Sequence, residues 1–479
     1  MDVLVRNGRV VDPFNGVDGL ADIAISDGKI VRVAPGMDLG NVEDVLEAEG
    51  LLVVPGLVDV HTHIVWPYAK GLSCDMLLRS GVTTAVDMGG PVGEFVRDVR
   101  AHGHGLNVAC LHALVPGKDV ESGSAEQEEI CDAIDAALDQ GAFGIKIMGG
   151  HFPFSPDTTG RIIEECGKRG VYIAVHAGTT STGSNLDGML EAVSLSHGNP
   201  LHLAHINVYC RGETEPAHNE LQRAFACLER TPRIVSESYL SVLGAGSAKV
   251  DVSGMVRGAS TRSRLVRKGY TADRAGMTRA IREGYALVHG MKDGGFTFLE
   301  PEEGLSYWQD THSETSCSFR IGHGGSLVSC LAAKRAGGSF AIDALASDGG
   351  GIPRNVIFPY GLRLVAMGYL SLRDLVRKTS LFPARMLGLV NKGHLGAGAD
   401  ADVAIFCPET GVARYTLVGG RVCMAEGRCG EGMSHAITTA QGVGALSRYA
   451  FATTVPDLAQ STFMLGHNGQ PLYKEQLPD

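Results

Sequence analysis

Two histidines separated by one residue, His61 and His63 in Gly56-Leu57-Val58-Asp59-Val60-His61-Thr62-His63, are well placed to do chemistry. In an extended strand, side chains at i and i+2 share a face, so both imidazoles can reach one metal ion while Thr62 turns away. Taken alone, His-x-His can equally be a chance pair on a surface loop. Further candidates recur at the ends of strand-like runs: His176 closes Val171–Val175, His205 closes Leu201–Ala204 and Asp348 closes Ala344–Ser347. One such histidine reads as a hydrogen-bonded core residue. Several independent strand ends in agreement with His61 and His63 read as a ligand set. Lys146, in Ile145-Lys146-Ile147, is a charge amid apolar residues that a strand would turn inward. An ammonium cannot bind a metal, and burying it unpaired is costly. Either Lys146 pairs with a nearby Asp, or its amine has taken up carbon dioxide as a carbamate, an anion able to bridge two divalent ions about 3.5–4 Å apart.

The elements that must position these groups alternate between strand and helix. The run Leu51-Leu52-Val53-Val54, then Pro55 and Leu57-Val58, reads as one buried strand emerging toward His61. Further strands are expected at Val82–Asp87, Val108–Leu111, Gly144–Met148, Val171–His176, Leu201–His205, Arg233–Ser236 and Ala344–Asp348, with helical patterns such as Ile130–Leu138, Arg161–Arg169 and Leu221–Glu229 between them. Eight such units match an α/β fold of the TIM (β/α)8 barrel type, whose active site lies at the strand C-termini. No glycine-rich dinucleotide fingerprint follows any strand, which counts against an open doubly wound sheet. Residues 1–54 read as short strands with an Asp27-Gly28 hairpin turn, and 391–430 repeat that character. A small β-sandwich domain formed by both chain ends is therefore expected around a barrel over 55–390. An insertion at about 240–340, carrying Arg262, Arg264 and Arg267, would cover or shape the site. The polar tail, 431–479, reads as an arm for a neighbouring subunit.

Bulk properties narrow the function classes. The 479 residues can bury a large core, and 6% aromatic content with 64 glycines suits an α/β enzyme with many tight turns. A net charge of −11 without a basic block argues against a nucleic-acid partner. No apolar run approaches the roughly 20 residues that would cross a membrane, and the start lacks a signal-peptide layout. Eleven scattered cysteines form no disulfide framework, which fits a reducing cytoplasm.

These segments resemble the amidohydrolase superfamily, in the branch of hydantoinases, dihydropyrimidinases, dihydroorotases and relatives with a carboxylated lysine. The likeness is carried by the run from Pro55 to His63, Gly81-Val82-Thr83-Thr84, Gly144-Ile145-Lys146, Val175-His176-Ala177, Ala204-His205-Ile206 and Ser347-Asp348. It continues through Thr379–Leu389, Lys392-Gly393-His394-Leu395 and Gly398–Asp402, so that it spans about residues 1–425. The resemblance implies His61 and His63 on one metal, a carboxylated Lys146 bridging, His176 and His205 on the second metal, and Asp348 on the first. It implies two divalent ions, zinc or alternatively manganese, iron or cobalt. Asp348 would serve as general base for a hydroxide bridging the ions, which attacks the C–N bond of a small-molecule amide. A cyclic amide or imide is the expected substrate class, and a homodimer or homotetramer the expected assembly. An N-acyl amino acid deacylase is the alternative. A non-catalytic scaffold on the same fold is the alternative from another class, opposed by six filled ligand positions.

The departures bear on the substrate. Hydantoinases carry a Tyr five residues after the bridging lysine; here that position is His151, whose imidazole could stabilise a developing oxyanion in its place. Tyr209 and Arg211, in Ile206-Asn207-Val208-Tyr209-Cys210-Arg211, are candidate substrate contacts. Arg211 would clamp a carboxylate, or else form a surface ion pair. Gly349 and Gly350 would let a substrate approach the backbone, or simply form a turn. His323 is a lid residue or an ordinary loop histidine. His202 faces away from His205 and reads as packing.

Overall fold

The computed structural model describes residues 1–467 apart from 39, 41 and 70. Seven parallel strands follow one another in chain order around a barrel: β1 (Leu57–His63), β2 (Val82–Asp87), β3 (Asn107–Leu114), β4 (Gly144–Met148), β5 (Tyr172–His176), β6 (Leu201–Leu203) and β7 (Ile234–Ser238). The eighth, β8, is split into Ala344–Leu345 and Gly349–Gly350. Its first half pairs with β7 (Glu237 opposite Ala344) and its second with β1 (Gly350 opposite His63), which closes the ring. The β strands are buried on both faces, as β2 and β3 show along their whole lengths, because helices cover the outside and side chains fill the inside.

The helices form where local signals agree. Gln127–Asp139 starts with a reciprocal capping box between Glu126 and Glu129 and buries Ile130, Ile134 and Leu138. Pro156–Arg169 has Ser155 as N-cap and Pro156 in its first turn. It stops at Gly170, whose φ of 64° is left-handed.

Both chain ends meet in one nine-stranded sheet that runs from strands of 413–429 through Val403–Phe406 and Leu52–Pro55 to Val3–Asp12 and its neighbours. The apolar run before His61 therefore differs from the single strand expected. Leu52–Pro55 pairs with Val403–Phe406 in the terminal sheet, and the barrel strand begins at Leu57. Gly56 marks the handover: a Cβ there would lie 2.2 Å from the Thr83 hydroxyl.

Within 240–340, Leu243–Ser247, Ala286–Lys292, Gly295–Phe298 and Ser316–Arg320 make a four-stranded antiparallel sheet. Three helices pack on it around a separate core that includes Leu265, Met277, Trp308 and Phe319. The tail also departs from expectation. His435–Ile437 pairs in parallel with the start of β3, and Phe463 stacks on Tyr172 at 4.2 Å between centroids. That segment belongs to its own barrel because it buries apolar surface there; residues 468–479 of the expected arm lie outside the described residues. No helix among the described residues is long and apolar enough to cross a membrane.

Candidate active site at the barrel rim

The C-terminal ends of the strands gather the ionisable groups. On β1, Asp59 and His61 share a face: Asp59 Oδ1 accepts from the His61 and Ser347 amides, tying β1 to β8. His61 Nε2 lies 3.4 Å and His63 Nε2 3.0 Å from Asp348 Oδ1. His61, His63 and Asp348 can place one donor atom each within 4.8 Å of one another. The Asp348 backbone adopts a left-handed φ of 49° while its amide donates to His61 O at 2.9 Å. Such a backbone in a non-glycine residue persists only where its surroundings hold it.

Opposite stand His176 from β5 and His205 after β6. His205 Nε2 and His176 Nδ1 are 2.9 Å apart, and the His61 and His205 rings stack at 5.2 Å. The expected strand through His205 ends earlier, at Leu203, since His205 itself turns to a φ of 37°. Burial drives the imidazoles of His61, His176 and His205 well below the ordinary histidine range, so they are neutral, the form a metal requires. Burial alone would raise the Asp348 carboxyl. The Arg354 guanidinium, 2.6 Å from Oδ2, together with His61 and His63, holds it well below the usual range instead.

Lys146 is fully buried, and its Nζ meets the Met88 thioether at 3.2 Å. Burial lowers its amine to about 8 and raises the Glu237 carboxyl to about 8. Glu237 was not among the candidates from sequence, where the strand was expected to end at Ser236. Its Oε1 accepts from His61 Nδ1 at 2.7 Å and from the His205 amide at 2.7 Å, while Oε2 is buried without a hydrogen-bond partner among the described residues. The bond to Nδ1 leaves His61 Nε2 as the free donor atom. Arg354 was also missed: its signal was only an arginine in the glycine-rich turn after Asp348.

The remaining candidates divide. His151 lines a cleft of about 640 Å³ beside the histidines, its ring 5.2 Å from His176. His151 is exposed at the mouth of that cleft, and partial desolvation by its walls with the Arg264 charge lowers its pKa to about 4. A Cβ at Gly150 would sit 2.3 Å from His176 Nε2, so Gly150 makes room for that ring, while Gly149 lies against the Gly178 carbonyl. Arg211 lines the same cleft but pairs with Glu213 at 3.0 Å. Tyr209 is placed differently from the expectation of a substrate contact. It is fully buried and its hydroxyl accepts from the Ala177 amide, so it buttresses the histidine pair from behind. Gly349 and Gly350 likewise face protein: a Cβ would meet Asn355 Oδ1 at 2.2 Å and His63 O at 2.8 Å. His202 bonds the Tyr172 hydroxyl on the far face, and His323 caps a helix through the Ser326 amide.

The amidohydrolase family model matches residues 52–210, the stretch that supplies His61, His63, Lys146, His176 and His205. Over that stretch the chain is similar to the amidohydrolase family. A dihydroorotase from Syntrophus aciditrophicus is 24% identical over 85% of this chain and 90% of its own length. A dihydroorotase from Streptococcus thermophilus is 46% identical, but over only 14% of this chain and 15% of its own. Among solved structures, a D-hydantoinase (TM-score 0.62, 14% identity) covers 92% of this chain and 99% of its own. An N-acyl-D-glutamate deacylase from Bordetella bronchiseptica, complexed with zinc and a phosphonate inhibitor, has a TM-score of 0.65 at 16% identity, covering 90% and 99%. Both structures share the fold of this chain.

Proposed function

We propose that the protein is a metal-dependent hydrolase that opens a C–N amide bond in a cyclic amide or imide. The carrying observation is the convergence of His61, His63 and Asp348 opposite His176 and His205 at one rim of the barrel. The donor set fits divalent ions, zinc foremost: neutral imidazoles face one another, and a buried carboxylate oxygen on Glu237 stands unpartnered. His61, His63 and Asp348 would hold one ion, and His176 and His205 the other. Lys146, once carboxylated, would supply a further oxygen ligand to this pair. Its buried amine, bonded among the described residues only to a thioether and lowered by burial to about 8, supports that assignment. Bound ions supply a Lewis acid for the amide carbonyl and lower the pKa of water.

The chain's own residues do the rest. Asp348 accepts the proton of the attacking water and returns it to the departing nitrogen. Arg354 keeps that carboxylate charged between turnovers. His151 donates a hydrogen bond from a neutral imidazole to the carbonyl oxygen as charge develops there. The likeness to dihydroorotases over most of the chain supports the cyclic substrate. The inserted unit and the likeness in fold to the deacylase favour, as a second reading, removal of an acyl group from an open-chain N-acyl amino acid. All eleven cysteines are free, which supports a reducing compartment. Assembly as a homodimer or homotetramer follows the family resemblance, and light scattering on a sizing column tests it.

The deciding experiment combines metal analysis with turnover on hydantoins, dihydropyrimidines and N-acyl amino acids. Two ions per chain and ring opening are expected, both abolished by exhaustive chelation and restored by zinc. Full activity after chelation would end the proposal. A 13C-bicarbonate NMR signal lost in Lys146→Ala tests the carbamate.

A further inference from the structure

The cleft beside His151 and His176 carries an excess of positive charge. Arg211, Arg264 and Arg267 line it with Glu213. Arg211 and Arg267 share that one carboxylate, at 3.0 and 2.8 Å from Oε1. Arg264, on the inserted helix Ala259–Arg267, has no carboxylate within ion-pair reach among the described residues. Its Nη1 is anchored on the carbonyls of Gly244 and Ala245 at 3.0 and 2.8 Å, and its guanidinium lies 5.6 Å from the centre of the Phe319 ring. Nε and Nη2 have no partner among the described residues. The Arg211 Nε is also buried without one. A guanidinium offers five donors in a planar fork that matches a carboxylate. Here one edge is fixed to the backbone and the other is free. Burial and the neighbouring Arg211 and Arg354 all disfavour its charge, a cost that an arriving anion offsets.

We infer that Arg264, with Arg211 beside it, is the seat for a carboxylate carried by the substrate, so that the enzyme acts on anionic amides. The inference rests on the amide-hydrolase reading above and adds the substrate class. The inserted unit then selects: it carries the cation, while the barrel carries the reacting centre. Arg262 is the internal contrast, because its Nη1 turns away to the carbonyls of Val256 and Arg257.

The test compares a carboxylated cyclic amide, hydantoin-5-acetic acid, with its methyl ester in the zinc-loaded enzyme. Wild type is expected to prefer the acid. Arg264→Gln should raise KM for the acid about 30-fold, the scale of one charge-assisted contact, and change the ester less than threefold. Arg264→Lys should restore part of the loss. Arg262→Gln should alter neither, and metal content and melting temperature should hold throughout. Equal losses on acid and ester, or no preference in wild type, would overturn the carboxylate seat and leave the hydrolase reading intact. If no amide is turned over, the hydrolase reading fails. Succinate binding by calorimetry then still decides the seat: weaker binding to Arg264→Gln than to wild type supports it, and equal or absent binding to both overturns it.

Discussion

The two walls of the cleft are built in opposite ways. The barrel wall holds imidazoles that are each fixed by a neighbour from elsewhere in the ring: Glu237 for His61, Asp348 for His63, and His205 for His176. The inserted wall presents charged arginines on a nine-residue helix, with a core of its own behind it. Strand ends in a closed ring can hold donor atoms to fractions of an ångström, which bond making demands. A separate unit with its own core can vary without disturbing them. On the proposed function, this amounts to a division of labour between reaction and selection.

The comparison breaks first at the barrel wall. The paired change His61→Ala and His63→Ala should cost kcat/KM on the order of 10³-fold or more, the loss of several kcal/mol of charge stabilisation. Elemental analysis should show one ion fewer per chain. Trp308→Ala, which empties the centre of the inserted core, should destabilise by about 3–5 kcal/mol. If the division holds, hydrogen exchange will confine that loss to 240–340 while the metal content stays. Loosening that spread through the barrel would mean that the two walls fold as one. Glu237→Gln should weaken metal affinity by about 10–100-fold, the usual scale for a group that orients a ligand, without moving the exchange pattern of the insertion; competition with a chromogenic chelator measures it. Arg267→Ala should change kcat/KM less than about threefold, because its pair with Glu213 is exposed.

The barrel could be read from the chain because each strand carries a continuous apolar run punctuated by glycine, and because the donors sit at the ends of those runs. The Gly144–Met148 strand matches its expected span. Harder to see were groups whose meaning lies in another strand. Glu237 falls one residue beyond its expected strand, and nothing in Ser236-Glu237-Ser238 announces a partner 176 residues away. Tyr209 shows the opposite failure. Polar atoms near His205 could serve a ligand or the backbone, and only the fold reveals that its hydroxyl meets Ala177. The tail is polar in sequence, yet Phe463 and the strand near His435 suffice to anchor it.

The interruption of β8 has a consequence for how the molecule comes together. The last seam of the ring is held by two-residue ladders on either side of Asp348, far shorter than those between β4 and β5. Until residues 344–350 dock against His61 and His63, the proposed first metal position lacks its carboxylate. Closing the cylinder and completing the reaction centre are thus one event, so a chain caught half-assembled is also a chain without chemistry.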